Sequence, residues 1–200
     1  MAETIGLLLA AGAGRRMGRP KALLEGRDGV PWVVSTARTL AAGGCVETVV
    51  VVGAAAETVR GLLAGEPVTI IEAADWEAGM GASLRAGLDA IGAGLDATGI
   101  GPEAILVQLV DLPDVGPAVI RRLLAHSAPD ALARADYGHG PGHPVLFGRD
   151  HWAPIAAECA GDRGARAYLA RHPVLEVDCS DLATGADIDD SEHYVSMLSK

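Results

Sequence analysis

The first 130 residues alternate between short, unbroken apolar runs and longer segments with apolar positions three and four apart. The unbroken runs are Thr4–Ala10, Glu47–Val52, Val68–Glu72 and Ala104–Val110. They predict strands covered on both faces, because a half-exposed strand would alternate apolar with polar residues. The segments Trp32–Ala42, Ala55–Ala64, Ala82–Ile91 and Pro117–Ser127 predict helices, with Pro31 suited to a first helical turn and Gly43-Gly44 to its end. Strands and helices in alternation predict a Rossmann-like α/β fold, a mostly parallel sheet with helices on both faces.

The order changes after about residue 130. Leu132–Tyr137 and Pro144–Phe147 flank a glycine-rich turn and predict a small antiparallel pair. Helical patterns follow at Trp152–Ala160 and Ala165–Arg171, then a strand at Val174–Cys179 and a last helix over Ser191–Leu198. Ala93–Pro102 is a loop of small residues. No proline-rich or charged linker interrupts the chain, so residues 1–200 are expected to form one domain.

Charge narrows the range of ligands. A net charge of -10 argues against a general binder of nucleic acid or of an anionic membrane, since either needs widespread positive potential. Any polyanion must be met by a local concentration of cations. The three cysteines, Cys45, Cys159 and Cys179, are widely spaced and fit packing residues in a reducing compartment. The apolar start lacks the preceding positive charge of a secretory signal, and a cytoplasmic location is expected.

The required cations follow the first strand. In "LLLAAGAGRRMGRPKALL", residues 7–24, Gly12, Gly14 and Gly18 clear side chains from the backbone, so successive N–H groups can approach phosphate oxygens. Arg15, Arg16 and Lys21 can supply charge-assisted bonds to the same group, whereas a plain turn would need neither them nor Arg19. The Gly-Lys-Ser/Thr ending of ATPase loops is missing, and Met17 breaks the dinucleotide fingerprint. A second candidate is Asp111, which ends the apolar run of "LVQLVDLPDV". A carboxylate there is a hard ligand suited to Mg²⁺, while Asp114 is better placed to cap the following helix.

These stretches, together with Gly79-Met80-Gly81-Ala82-Ser83-Leu84, Gly142-His143-Pro144, Gly161-Asp162-Arg163-Gly164-Ala165 and Asp187-Ile188-Asp189, resemble the molybdenum cofactor nucleotidyltransferase family. The resemblance is to its cytidylyltransferase branch: the guanylyltransferase branch has Gly-Gly where this chain has Ala11-Gly12, and a second Gly-Gly after the Met, where this chain continues Gly18-Arg19-Pro20. It implies Mg²⁺-dependent transfer of CMP from CTP, or of another nucleotide, to the phosphate of a molybdopterin-type cofactor, with release of pyrophosphate. A transient molybdoenzyme or chaperone partner is implied as well, and neither nucleic acid nor membrane. Residues up to about 130 would form the nucleotide-binding part and 131–200 the acceptor part. Guanylyl transfer, a sugar or alcohol phosphate acceptor, and a non-catalytic cofactor carrier are the alternatives.

In this reading Leu9, Ala10, Ala11, Gly12, Ala13, Gly14 and Arg15 line the nucleotide, with Gly81 and Ser83 against its ring or ribose. Catalysis falls to Arg16 at the leaving pyrophosphate, Lys21 at the α-phosphate and Asp111 through the metal. Lys21 is expected to be exposed, so that its loss would cost little stability. Asp187 is the expected second metal ligand. Asp189 lies two residues on and, in an extended segment, faces the same side, and Asp189 or Asp190 could instead cap the last helix. His139 and His143 cannot form a helical zinc pair among glycines and prolines. His143 is expected to contact the acceptor or to brace its turn, and Arg163 to contact the acceptor unless Asp162 merely caps a helix.

Overall fold

A computed structural model describes residues 3–94, 101–159, 161 and 164–199. Its core is a seven-stranded sheet built from β1 (Thr4–Leu9), β2 (Glu47–Val52), β3 (Thr69–Glu72), β4 (Ala104–Leu109), β5 (Leu132–Asp136), β6 (Pro141–Gly148) and β7 (Leu175–Asp178), in the order β3-β2-β1-β4-β6-β5-β7. β3, β2, β1 and β4 run parallel, β6 is antiparallel to both β4 and β5, and β7 is parallel to β5. The expected antiparallel pair is therefore present, and it continues the main sheet.

The helices are α1 (Trp32–Gly43), α2 (Ala56–Leu62), α3 (Met80–Ala93), α4 (Pro117–Leu124), α5 (Trp152–Glu158), α6 (Arg166–Leu169) and α7 (Ser191–Ser199). Strand periodicity sorts them into two layers. Leu8, Val50, Val52 and Leu106 face one cluster with Val33 and Leu40 of α1, Val59 of α2 and Ile120 of α4. Leu7, Leu9, Val49, Val51, Ile105 and Val107 face the opposite cluster with Leu84 and Leu88 of α3, Ile155 of α5 and Tyr168 of α6. Both faces of β1, β2 and β4 are covered, which explains their unbroken apolar runs, whereas β3, at the sheet edge, has only Ile70 and Ile71 partly buried, one against each layer.

Several ends differ from expectation. α4 and α6 are shorter because their last turns tighten to three-residue bonds, Ser127 N–H to Leu124 O and Arg171 N–H to Tyr168 O. β6 is longer because Pro141 is paired only on its β5 side, beyond the end of the β4 ladder, where a missing N–H costs the sheet nothing. Most of the loop expected at 93–102, and Asp162 and Arg163, lie outside the described residues. Among the described residues no helix is long and apolar enough to cross a membrane.

This topology fixes where a ligand can sit. The chain leaves β1 toward β2 on one side and returns to β4 on the other, so the strand order reverses between β1 and β4 and a crevice opens beyond their carboxyl ends.

Candidate active site

A cleft of about 440 Å³ occupies that crevice. It is lined by residues 9–17 after β1, by Trp76, Glu77, Gly79, Met80 and Ser83 at the start of α3, and by Lys21, Leu109, Val110, Asp111 and Asp189. Leu9 through Arg16, Lys21, Ser83 and Asp111 thus meet as the sequence suggested. Gly81 is buried in the first turn of α3 and does not line the cleft.

The loop after β1 is shaped by Gly14. Its φ of +61° lies in the left-handed region, and a Cβ there would stand 1.9 Å from the Arg19 carbonyl oxygen. Met17 N–H donates to Gly14 O and closes the turn. The amides of Gly12, Ala13, Gly14, Arg15 and Arg16 donate to no carbonyl among the described residues, so this stretch of backbone remains available to an anion. Arg15 and Arg16 are exposed at its rim. Arg19 turns away, its guanidinium 5.8 Å from the centre of the Tyr194 ring on α7.

Lys21 corrects an expectation. Its side chain is only 15% exposed, and Nζ donates to Asp111 Oδ2 at 2.7 Å and to Asp189 Oδ1 at 2.6 Å. Burial alone would lower its pKa, but the hydrogen bonds to the two carboxylates outweigh burial and hold the ammonium above its ordinary value. Arg16 reaches Asp189 Oδ2 at 2.7 Å, and the carboxyl of Asp189 is held below the usual range, chiefly by its hydrogen bond from Lys21. A lysine engaged twice in a recessed site is part of the local structure as well as a candidate for chemistry.

Ligand oxygens of Asp111, Asp187 and Asp189 lie within 4.8 Å of one another. The 187–189 segment reaches Asp111 through a backbone bond, Ile188 N–H to Asp111 O at 3.1 Å, with Ile188 buried beneath it. Asp190 takes the capping role for α7, accepting from His193 N–H at 2.8 Å, which frees Asp189 for the cleft and leaves Asp187 beside it, outside the cleft lining. Asp111 Oδ1 is buried with no hydrogen-bond partner, and Asp187 is exposed. Asp189 and one oxygen of Asp111 are thus committed to cations, while the other oxygen of Asp111 is uncommitted. These are hard oxygen donors on two approaching segments, and they fit Mg²⁺ or Mn²⁺.

Other expected residues fall elsewhere. Asp114 does not cap α4, whose N-cap is Gly116; it accepts from Thr184 N–H and Thr184 Oγ1 at 2.7 and 2.6 Å. His143 is half-buried outside the cleft lining, and burial pushes its imidazole down to about 4 against the opposing charge of Asp111. It is a neutral ring near the carboxylates at neutral pH. Sequence reasoning missed Trp76 and Met80 as residues lining the cleft, although their place at the small-residue start of α3 was in view. It also missed the clasp of Asp114 on Thr184, for which no local pattern exists.

Residues 6–177 match the family described as MobA-like NTP transferase domain. A curated relative named nicotine blue oxidoreductase, from Paenarthrobacter nicotinovorans, is 39% identical over 203 residues, covering 96% of this chain and 95% of that protein. Another, molybdenum cofactor guanylyltransferase from Rhodobacter capsulatus, is 37% identical over 152 residues, covering 74% of this chain and 64% of that protein. Among solved structures, the Rv0371C complex with manganese from Mycobacterium tuberculosis H37Rv superposes with a TM-score of 0.78 at 29% identity, covering 99% of both chains.

Proposed function

The chain belongs to the MobA-like NTP transferase domain family, and from that premise we propose that it transfers CMP from CTP to the terminal phosphate of a molybdopterin-type cofactor. One observation carries the reading: the Lys21 ammonium and the Arg16 guanidinium converge with three carboxylates beneath a bare-backbone loop, at the strand-order reversal. A triphosphate needs that pairing of cationic and backbone donors with a carboxylate-held divalent ion. The choice of CTP rests on the Ala11-Gly12 and Gly18-Arg19-Pro20 stretches, which differ from the guanylyl branch. The manganese named in the Rv0371C structure supports a divalent metal.

In the proposed reaction an acceptor phosphate oxygen attacks the α-phosphorus, the α–β anhydride bond breaks, and pyrophosphate leaves with the electron pair. The acceptor phosphate is already ionised near neutral pH, so positioning and charge neutralisation carry the rate in place of a strong general base. The amides of Ala13–Arg15 hold the β- and γ-phosphates. Arg16 stabilises charge on the leaving pyrophosphate and Lys21 charge at the α-phosphate. Asp189 holds both cations in register through its two oxygens. Asp111 and Asp187 would hold Mg²⁺, which supplies Lewis-acid neutralisation and a template for phosphate oxygens. Ser83, which lines the cleft, belongs to the ring and ribose side, while His143 and Arg163 belong with the acceptor part over 131–200.

The test is pyrophosphate release with CTP, GTP and ATP side by side, with and without molybdenum-loaded molybdopterin, at fixed Mg²⁺. Release only with CTP and acceptor together supports the reading, and release with GTP moves the assignment to the guanylyl branch. A sugar phosphate that replaces molybdopterin would overturn the acceptor, and tight cofactor binding without turnover would make the chain a carrier. The 39% identity to nicotine blue oxidoreductase along nearly the whole of both chains favours a second reading, an oxidoreductase. It predicts redox turnover of nicotine blue without pyrophosphate release, and the same preparation can be assayed for both.

A further inference from the structure

Asp187 and Asp189 lie on a strap without regular secondary structure between β7 and α7. Such a segment has no ladder or helix to hold a carboxylate in place, yet this one sets two of them beside Asp111. The hydrogen bonds that hold it are specific. Asp114 Oδ2 accepts from Thr184 N–H and from Thr184 Oγ1, across 70 residues of sequence. The Thr184 carbonyl oxygen lies 2.8 Å from His139 Nε2. Next to it, Gly185 has φ +62°, and a Cβ there would stand 2.2 Å from the Tyr137 ring, whose hydroxyl donates to His143 O. Three residues beyond, Ile188 N–H bonds the backbone of Asp111 itself.

Asp111 and Asp114 share the turn after β4, so that turn grips the strap at both ends of the 184–188 stretch. An Asp at this place would ordinarily cap α4, but here its carboxylate is given to a distant threonine instead. We propose that Asp114 and Thr184 are positioning residues, a clasp that presents Asp187 to the metal held by Asp111. The inference rests on the metal assignment of the proposed function. Both residues are exposed, so the clasp adds little to global stability and its effect is confined to the strap.

The experiment is titration of the full-length protein with Mn²⁺ alone, followed by loss of the free-ion electron paramagnetic signal. The wild type is compared with Asp114→Ala, Thr184→Val and Thr184→Ser, with Asp187→Asn as the no-ligand reference. We expect Asp114→Ala and Thr184→Val to weaken Mn²⁺ binding roughly 10- to 100-fold, as loss of an outer partner of a ligating carboxylate does. Thr184→Ser should restore most of it, because the hydroxyl and the amide are kept. Thermal midpoints should stay close to the wild type. In turnover the apparent KM for metal should rise while kcat at saturating metal stays near normal. Wild-type affinity in both clasp variants overturns the proposal, and so does a Thr184→Ser variant as weak as Thr184→Val. If Asp114→Ala does not fold, the two Thr184 variants decide. Failure of the wild type itself to bind Mn²⁺ would instead strike the metal assignment.

Discussion

Removing the Lys21 ammonium tests whether the cleft is an electrostatically balanced unit. Lys21→Met keeps most of the apolar stem and deletes the charge that separates Asp111 from Asp189. Their side chains are 17% and 32% exposed, so the repulsion left behind is only partly screened. Two unit charges within 4.8 Å of one another repel by about 3 kcal/mol or more at an effective dielectric near 20. Allowing for solvent at the rim leaves a loss of about 2 kcal/mol, which lowers the thermal midpoint of a domain this size by roughly 4–8 °C. Calorimetry at pH 7 with a chelator measures it directly. Added Mg²⁺ should narrow the gap, since a divalent ion replaces the missing positive charge.

The pH dependence gives an internal control. Asp189 is held below its ordinary value by Lys21, so its contribution to stability is present above the unfolded-state pKa of about 4 and is lost as pH falls through the folded value. The difference between wild type and Lys21→Met should therefore persist from pH 5 to 8 and shrink below pH 4. A variant melting within 1 °C of wild type at pH 7 in low salt, approximately, would refute the claim that Lys21 balances these carboxylates. That outcome would make Lys21 structurally neutral, as expected from sequence, despite its recessed position.

Gly14→Ala places a Cβ against the Arg19 carbonyl at a left-handed φ, a strain of about 1–3 kcal/mol that the loop relieves by changing shape. Nucleotide affinity, measured by calorimetric titration with CTP, should fall at least about tenfold. Gln108 is fully buried in β4 with neither side-chain polar atom partnered, so Gln108→Met should gain about 1 kcal/mol and raise the midpoint by roughly 2–4 °C. A lower midpoint would mean the amide is satisfied by bound water.

The sheet was legible because its signal is local. Leu7 and Leu8 point to opposite layers, and only a strand covered on both faces needs apolar residues at both positions. The glycines and cations after β1 were legible for the same reason, and the family resemblance reached the Asp187–Asp189 pair. What escaped depends on distant contacts. Lys21 looks like a surface residue until α7 and the strap bring Asp189 within 2.6 Å of it. Asp114 has the spacing of a helix cap, and only the folded chain presents it with Thr184, a partner that outcompetes the start of α4. Arg19 read as part of the cationic loop because sequence proximity cannot show that a tyrosine near the other end draws it away.

The most direct test of the central claim is anomalous diffraction from crystals grown with Mn²⁺ and a non-hydrolysable CTP analogue. The account predicts a manganese peak bonded to Asp111 and Asp187, with the β- and γ-phosphates on the amides of Ala13–Arg15. A triphosphate bound elsewhere, or a metal bound without either carboxylate, would contradict it.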